Sequence, residues 1–109
     1  MKNDYLKFEL DPSGGQKSFY GKAIVTHANG RKHLTSYETD VCTIVDGEFL
    51  RTWDGYSVTT MKHVNSFRIQ YKMDPLTKSQ WLKLPVHDST MLADLIVARI
   101  AMEVKKNDN

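Results

Sequence analysis

Hydroxyl and imidazole groups lie close together in the stretch GYSVTTMKHVNSF, residues 55–67. Thr59 and Thr60 precede His63 by about one helical turn, so a hydroxyl nucleophile and an imidazole base could share a helix face. The same pattern fits an ordinary helix start, in which Ser57 or Thr59 is the N-cap and His63 packs against a residue one turn later. The second interpretation requires no chemistry, and we adopt it.

The other polar side chains give little support for metal or cofactor chemistry. None of the histidines has a His, Cys or acidic residue at i+3 or i+4 within a predicted helix, so no zincin-like spacing exists. Cys42, the single cysteine, lies among apolar residues of a predicted strand and suits a small buried hydrophobe. The chain has no G-x-S-x-G, P-loop or G-x-G-x-x-G motif. We therefore expect no enzyme activity, no metal and no cofactor.

Length and composition favour one small domain. The chain has 109 residues, enough for one modest core. It contains no run of about 18 apolar residues, so no membrane-spanning helix is expected. The first ten residues, MKNDYLKFEL, carry charges every few positions, unlike the apolar region of a secretory signal. Together with the single cysteine, these features predict a cytoplasmic protein.

Charge is segregated along the chain, although the net charge is only +2. Counting Lys and Arg against Asp and Glu gives +4 for residues 12–37, −4 for residues 38–54 and +4 for residues 62–83. Either neighbouring segments pair their charges in the fold, or the basic segments form a face for an anionic partner.

Alternating and turn-forming residues predict an antiparallel sheet over residues 5–53. The run YLKFEL alternates as a half-buried strand. Asn29-Gly30 and Asp46-Gly47 each separate two strand-like runs, and such dipeptides are strong signals for a type I′ hairpin turn. Their registers pair Val25 with Leu34 and Ile44 with Phe49. Because only three residues follow Tyr37 before the next run, residues 31–45 also fit one long bent strand.

The first hairpin register assigns side chains to two faces of the sheet. One face is predicted to be core: Phe19, Ala23, Val25 and Leu34. The other is predicted to be half-exposed: Tyr20, Lys22, Ile24, Thr26, His33, Thr35 and Tyr37. His27 and His33 fall on opposite faces, so they do not form a two-histidine metal site.

Beyond residue 54 the apolar period changes to that of a helix. We predict a first helix over residues 57–72, a linker over residues 74–87 and a second helix over residues 88–105, which gives a single α+β domain over residues 1–109. The second helix is apolar nearly all round, so it is either sandwiched within the domain or buries a second face against another chain. Its candidate contact residues are Met91, Leu95, Ile96, Ile100 and Met102.

Two binding functions follow from these elements. The basic, aromatic hairpin over residues 17–37 could contact phosphates and stack on bases. Its candidate residues, for nucleic acid or a protein partner, are Lys17, Tyr20, Lys22, Arg31, Lys32, His33 and Tyr37. Protein binding is favoured by the apolar second helix and by the aromatic residues Tyr20, Tyr37, Trp53, Tyr56 and Trp81.

Three motifs resemble a widespread group of small phage-encoded proteins of uncharacterised function. The motifs are Tyr20-Gly21-Lys22-Ala23, Leu34-Thr35-Ser36-Tyr37-Glu38-Thr39-Asp40-Val41 and Tyr56-Ser57-x-Thr59-Thr60-x-x-His63-x-x-x-Phe67. The resemblance covers residues 19–67 and implies a phage origin and action in the cytoplasm of a bacterial host. It implies no reaction. Small accessory phage proteins often bind a host factor or a defence complex, so an anti-CRISPR or other host-defence inhibitor is one expectation.

Overall fold

The computed structural model describes residues 5–13 and 17–107, with side chains up to residue 101. Five strands and then three helices follow in chain order: β1 (Leu6–Glu9), β2 (Ala23–Ala28), β3 (Arg31–Ser36), β4 (Thr39–Val45), β5 (Glu48–Arg51), α1 (Val58–Gln70), α2 (Lys78–Lys83) and α3 (Met91–Asn107). The strands form one antiparallel sheet in the order β1-β2-β3-β4-β5. The α+β fold class predicted from the sequence is therefore confirmed.

Both predicted hairpins form with the predicted registers. The turn at Asn29-Gly30 pairs Val25 with Leu34, and the turn at Asp46-Gly47 joins β4 to β5 in the expected alignment. Asn29 has φ 53° and Gly30 has φ 76°, as a type I′ turn requires. Local turn chemistry therefore sets the pairing of four of the five strands.

A third tight turn, at Tyr37-Glu38, separates β3 from β4. These residues have φ values of 51° and 76°, although neither is glycine. The chain reverses here, and Ser36 pairs with Thr39. The interpretation of residues 31–45 as one bent strand is therefore wrong, because a two-residue turn formed without an Asn-Gly or Asp-Gly signal.

Replacing Glu38 with glycine should stabilise the protein by about 1 kcal/mol. A left-handed backbone costs an L-residue about 1–2 kcal/mol, and the entropy lost by glycine offsets part of the gain. Thermal unfolding followed by circular dichroism should show a rise of about 4–8 °C in Tm. The reverse change at the equivalent turn position, Gly30→Glu, is the matched control, since a Cβ there meets no atom within 4 Å. That control should lower Tm, and a Glu38→Gly protein that melts no higher than wild type would contradict the prediction.

Helix α1 packs its apolar stripe on one face of the sheet, as predicted. Ser57 is the N-cap, and its Oγ accepts a hydrogen bond from the Thr60 backbone N–H at 3.0 Å. Met61, Val64 and Phe67 are buried in the core. The stretch over residues 55–67 thus contains the start of a packed helix.

The segment predicted as a linker, residues 74–87, contains the short helix α2. Thr77 and Gln80 form a capping box at its start. Trp81, in its last turn, is fully buried in the same core as α1. A helix of six residues is too short for its apolar period to be distinguished in the sequence.

Helix α3 covers the other face of the sheet. Thr26 and His33, which the hairpin register predicted to be half-exposed, are both buried on this face, as is Ala28. The register assigned the side chains to the correct faces, but it carries no information about what covers each face. Among the described residues, no helix is both long enough and apolar enough to cross a membrane.

Candidate functional site

A buried carboxylate, Asp94, holds α3 against the sheet. Its Oδ1 accepts hydrogen bonds from Arg31 Nη1 at 2.6 Å and Asn29 Nδ2 at 3.3 Å. Its Oδ2 lies 2.7 Å from His33 Nε2 and accepts a hydrogen bond from Thr90 Oγ1 at 3.4 Å. The ion pairs seen among the described residues are those of Asp94 with Arg31 and His33. Both ion pairs join β3 to α3. Neither involves the acidic segment over residues 38–54, so these pairs do not neutralise the basic hairpin with that segment.

The polarity of α3 is inverted with respect to an ordinary surface helix. Asp94, in the first turns of the helix, is only 2% exposed, while four large aliphatic side chains of the same helix face solvent. We call these residues the apolar stripe of α3: Leu92, Ile96, Val97 and Ile100. A surface helix normally buries its aliphatic side and exposes its charges. The helix is therefore not sandwiched within the domain, because one side packs on the sheet and the other faces solvent. Contact of that second side with another chain, such as a homodimer partner, stays a prediction.

The predicted contact residues of α3 divide between these two sides. Ile96 and Ile100 belong to the apolar stripe. Leu95 is half-buried, and Met91 turns toward the sheet, where its sulfur accepts a hydrogen bond from Thr35 Oγ1 at 3.5 Å. The side chain of Met102 lies outside the described residues. Sequence reasoning missed two stripe members, Leu92 and Val97, because an acid such as Asp94 normally marks the exposed side of a helix and here lies on the buried side.

The seven candidate residues of the basic hairpin do not form one face. Arg31 and His33 are held by Asp94 at one end, and the Lys32 ammonium lies 5.4 Å from the ring centroid of Tyr71 on the opposite side of the sheet. Tyr20, Lys22 and Tyr37 belong to the other end of the hairpin, about five residues or roughly 16 Å of strand away. Lys17 is an exposed residue of the segment that precedes β2. A continuous basic surface along this hairpin is therefore interrupted.

Two exposed tyrosines occupy adjacent tight turns at that other end. Tyr20 has φ 55° in a turn closed by a hydrogen bond from Lys22 N to Phe19 O at 3.0 Å, and Tyr37 has φ 51°. The Tyr37 N–H donates to Lys22 O at 2.9 Å, which ties the two turns together. Tyr20 is 77% exposed and Tyr37 is 48% exposed. We call this pair the tyrosine turns.

A depression of about 560 Å³ lies beside the tyrosine turns. Its lining residues carry charges of both signs: Lys7 and Lys22 are basic, and Glu38 and Asp40 are acidic. Asp40 is already engaged, because its carboxylate accepts hydrogen bonds from Thr35 Oγ1 at 3.1 Å and Ser89 Oγ at 2.8 Å. The depression thus provides polar contacts beside the Tyr37 ring without favouring one charge.

Thr60 and His63 do meet a third polar group, but in the interior. Ser36 Oγ lies 3.0 Å from Thr60 Oγ1 and 2.8 Å from His63 Nδ1, and all three residues are buried. Burial lowers the pKa of His63, which favours its neutral form. The imidazole is further enclosed by the rings of Phe19 and Tyr37. This cluster joins α1 to β3 and presents no open surface to a substrate.

The remaining chemical candidates are likewise structural. Cys42 is buried in the core, and burial raises its pKa well above the usual value for a thiol, so little reactive thiolate forms. Among the residues described by the structure, no three His, Cys, Asp or Glu side chains are grouped closely enough to hold a metal ion.

Comparison with known protein families places this chain in a family. A family of unknown function, DUF8033, matches residues 8–83, a range that contains the second half of β1 and everything from β2 to α2. Helix α3 lies outside the matched range. No curated protein and no solved structure matches the chain.

Proposed function

Because the chain belongs to DUF8033, a family without an assigned function, we propose a role from its surfaces: it is a non-enzymatic accessory protein that binds another protein through the tyrosine turns. The observation that carries this proposal is the backbone of Tyr20 and Tyr37, which are exposed aromatic residues with positive φ. Glycine or asparagine would occupy such positions with less strain.

The strained backbone of Tyr20 is informative, because its exposed side chain gains no evident packing in return. Each left-handed L-residue costs about 1–2 kcal/mol, and such conformations concentrate at functional sites. Tyr37 is partly supported, since its ring contacts His63 and receives the Lys22 ammonium at 5.4 Å. A tyrosine side chain has only two χ angles and so loses little entropy on binding, and tyrosine is favoured at the energetic centres of protein interfaces.

The resemblance to phage-encoded proteins supports a partner from a bacterial host. We propose that the partner is a cytoplasmic host protein or a defence complex, and that binding inhibits it, as an anti-CRISPR protein would. The mixed charges beside the tyrosine turns suit a protein surface, which offers donors and acceptors of both signs, better than a uniformly anionic polymer.

Replacing Tyr20 and Tyr37 with asparagine should remove binding while keeping the fold. Asparagine tolerates positive φ, so both turns should persist and Tm should stay within a few degrees of wild type. Loss of two aromatic anchors should weaken binding at least about 30-fold. That factor corresponds to about 2 kcal/mol of binding free energy, the loss expected when a single residue at an energetic centre of an interface is truncated. Affinity capture from bacterial host lysate, quantified by mass spectrometry and repeated with the isolated partner by calorimetry, measures this change.

The matched control is Tyr5→Asn, which removes an exposed tyrosine next to β1. Proteins that both wild type and Tyr5→Asn capture and that the double variant loses support the proposal. Equal capture by all three proteins would overturn it.

Nucleic-acid binding through the hairpin is the alternative outcome of the same experiment. Capture would then be lost after nuclease treatment, and Lys22→Glu, Arg31→Glu and Lys32→Glu would together abolish a DNA gel shift. The structure makes this outcome less favourable, because Arg31 is already paired with the buried Asp94.

A further inference from the structure

The turn between β2 and β3 carries the dipeptide Asn29-Gly30, a pair of residues that can react with each other. A backbone nitrogen can attack the side-chain carbonyl carbon, Cγ, of the asparagine before it, and glycine hinders this attack least because it has no side chain. Both residues are exposed, and a Cβ placed on Gly30 would meet no atom within 4 Å. Among the described residues, the Gly30 N–H donates no hydrogen bond. The attacking nitrogen is therefore open to water and is not held by a partner.

The side chain of Asn29 helps to hold α3 against the sheet. Its Nδ2 donates to Asp94 Oδ1 at 3.3 Å, and the same oxygen accepts a hydrogen bond from Arg31 Nη1 at 2.6 Å. An asparagine side chain donates only through its amide nitrogen, whereas an ionised carboxylate accepts hydrogen bonds and donates none. Loss of the amide nitrogen at position 29 would therefore replace a donor that faces Asp94 with a second negative charge.

We propose that Asn29 is a site of spontaneous deamidation and that this modification releases α3 from the sheet. In the first step the Gly30 nitrogen forms a bond to Asn29 Cγ, and the side-chain nitrogen leaves as ammonia with the proton that the Gly30 nitrogen loses. Water then opens the resulting cyclic imide at either of its carbonyl carbons, which gives an aspartate or an isoaspartate. No atom is oxidised or reduced. This site is separate from the tyrosine turns, so the proposal does not depend on the proposed function.

Either product should weaken the contact between α3 and the sheet. Aspartate removes one donor from Asp94 and adds a second carboxylate next to it, and like charges at such a distance repel. Because Asp94 is buried, water screens little of this repulsion. Isoaspartate in addition lengthens the backbone of the turn, which now fits two residues between Ala28 and its partner Arg31. Since ammonia is lost, the change acts in one direction.

Folding restrains this reaction without preventing it. The paired strands on either side hold the turn, and the contact with Asp94 holds the Asn29 amide. The Gly30 nitrogen therefore reaches Cγ only while the turn flexes, and loops and turns are among the segments that open at the lowest free energy. Conversion should be slower in the folded chain than in the chain unfolded by urea, but still measurable.

Peptide mass spectrometry of the full chain, incubated at neutral pH and mild warmth, tests the site. Trypsin should release residues 23–31, which contain Asn29, and residues 63–68, which contain Asn65. Asn65 is the matched internal control, because its amide is held by the backbone of Leu76 at 3.0 Å and 2.7 Å. Asn29 should convert while Asn65 stays intact. Asn29 that is still fully intact in the folded chain when the urea-unfolded chain has reacted completely would overturn the proposal.

Amide hydrogen exchange tests the release of α3. The deamidated protein can be separated from the intact protein by its additional negative charge. Its α3 amides should exchange at least about 10-fold faster, as expected when a hydrogen bond to a buried charge is lost. Equal exchange in the two forms would overturn the release of α3.

Two substitutions at the same position separate the added charge from the lost amide. Asn29→Asp should reproduce the faster exchange of the deamidated protein. Asn29→Gly is the matched variant, because glycine accepts the φ of 53° at this position and removes the amide without adding a charge. It should accelerate exchange in α3 less than Asn29→Asp does. Equal acceleration by the two substitutions would overturn the role assigned to the second carboxylate.

Discussion

Asp94→Ala should release α3 from the sheet and lower the free energy of unfolding by about 3 kcal/mol, near the lower end for a broken buried ion pair. His33 would remain buried without the carboxylate that lies 2.7 Å from its Nε2. Arg31 would lose its partner at 2.6 Å, but its side chain is 33% exposed, so water compensates part of this loss. Most of the expected effect therefore comes from the buried histidine and from the sheet face that α3 no longer covers.

Urea unfolding and amide hydrogen exchange together measure this effect. Exchange in α3 should accelerate more than exchange in β2 and β3, because the helix detaches before the sheet unfolds. Asp94→Asn, which keeps hydrogen-bonding groups but removes the charge, should be less damaging. Asp88→Ala is the control, since Asp88 is an exposed acid just before the same helix. An Asp94→Ala protein as stable and as protected as Asp88→Ala would contradict the proposed anchor.

Arg51→Lys should lower the free energy of unfolding by at least about 3 kcal/mol, although the positive charge is retained. The Arg51 guanidinium donates to four backbone oxygens: Trp53 O at 2.8 Å, Trp81 O at 3.2 Å, Leu84 O at 3.2 Å and Gly55 O at 3.4 Å. It also stacks on the Trp81 ring at 4.7 Å. A lysine ammonium cannot reproduce this planar fork. Trp81 O and Gly55 O keep other donors, but the Trp53 and Leu84 carbonyls would lose the one that Arg51 supplies, at a cost of about 1–3 kcal/mol each.

Arg51 is buried, and no carboxylate is paired with it among the described residues. The negative end of α2, where Trp81 and Leu84 expose their carbonyls, compensates its charge. Loss of this link should free the 53–57 loop and α2 together, because Trp81 Nε1 also donates to Gly55 O at 2.9 Å. Urea unfolding of Arg51→Lys should be compared with Arg99→Lys, the same change at an exposed position. Equal stability of the two variants would refute this role.

Local turn chemistry explains which parts of the fold could be predicted from the sequence. Asn29-Gly30 and Asp46-Gly47 set the register of four strands, because few other dipeptides accept two consecutive positive φ values. Helix α1 could also be predicted, because its N-cap, Ser57, and the apolar residues that follow at helical spacing are neighbours in the sequence. These features depend on contacts only a few residues apart.

The remaining features depend on contacts between distant residues. The burial of His33 is set by Asp94, 61 residues away, and no hairpin pattern could indicate it. The turn at Tyr37-Glu38 was missed because it forms in spite of its residue types. The predicted surface of the basic hairpin is found only in part. Tyr20, Lys22 and Tyr37 lie at the same end of the hairpin, whereas Arg31 is paired with Asp94 of α3.

The strand order has a consequence for the sequence of folding events. Every strand pairs with its neighbour along the chain, so each step of sheet formation closes only a short loop. The hydrogen bonds of Asp94 to Asn29, Arg31 and His33 instead close loops of 61 to 65 residues. We therefore expect the sheet to form early, even on the ribosome, and α3 to dock last. Helix α3 would then take its final place only after the rest of the domain is complete.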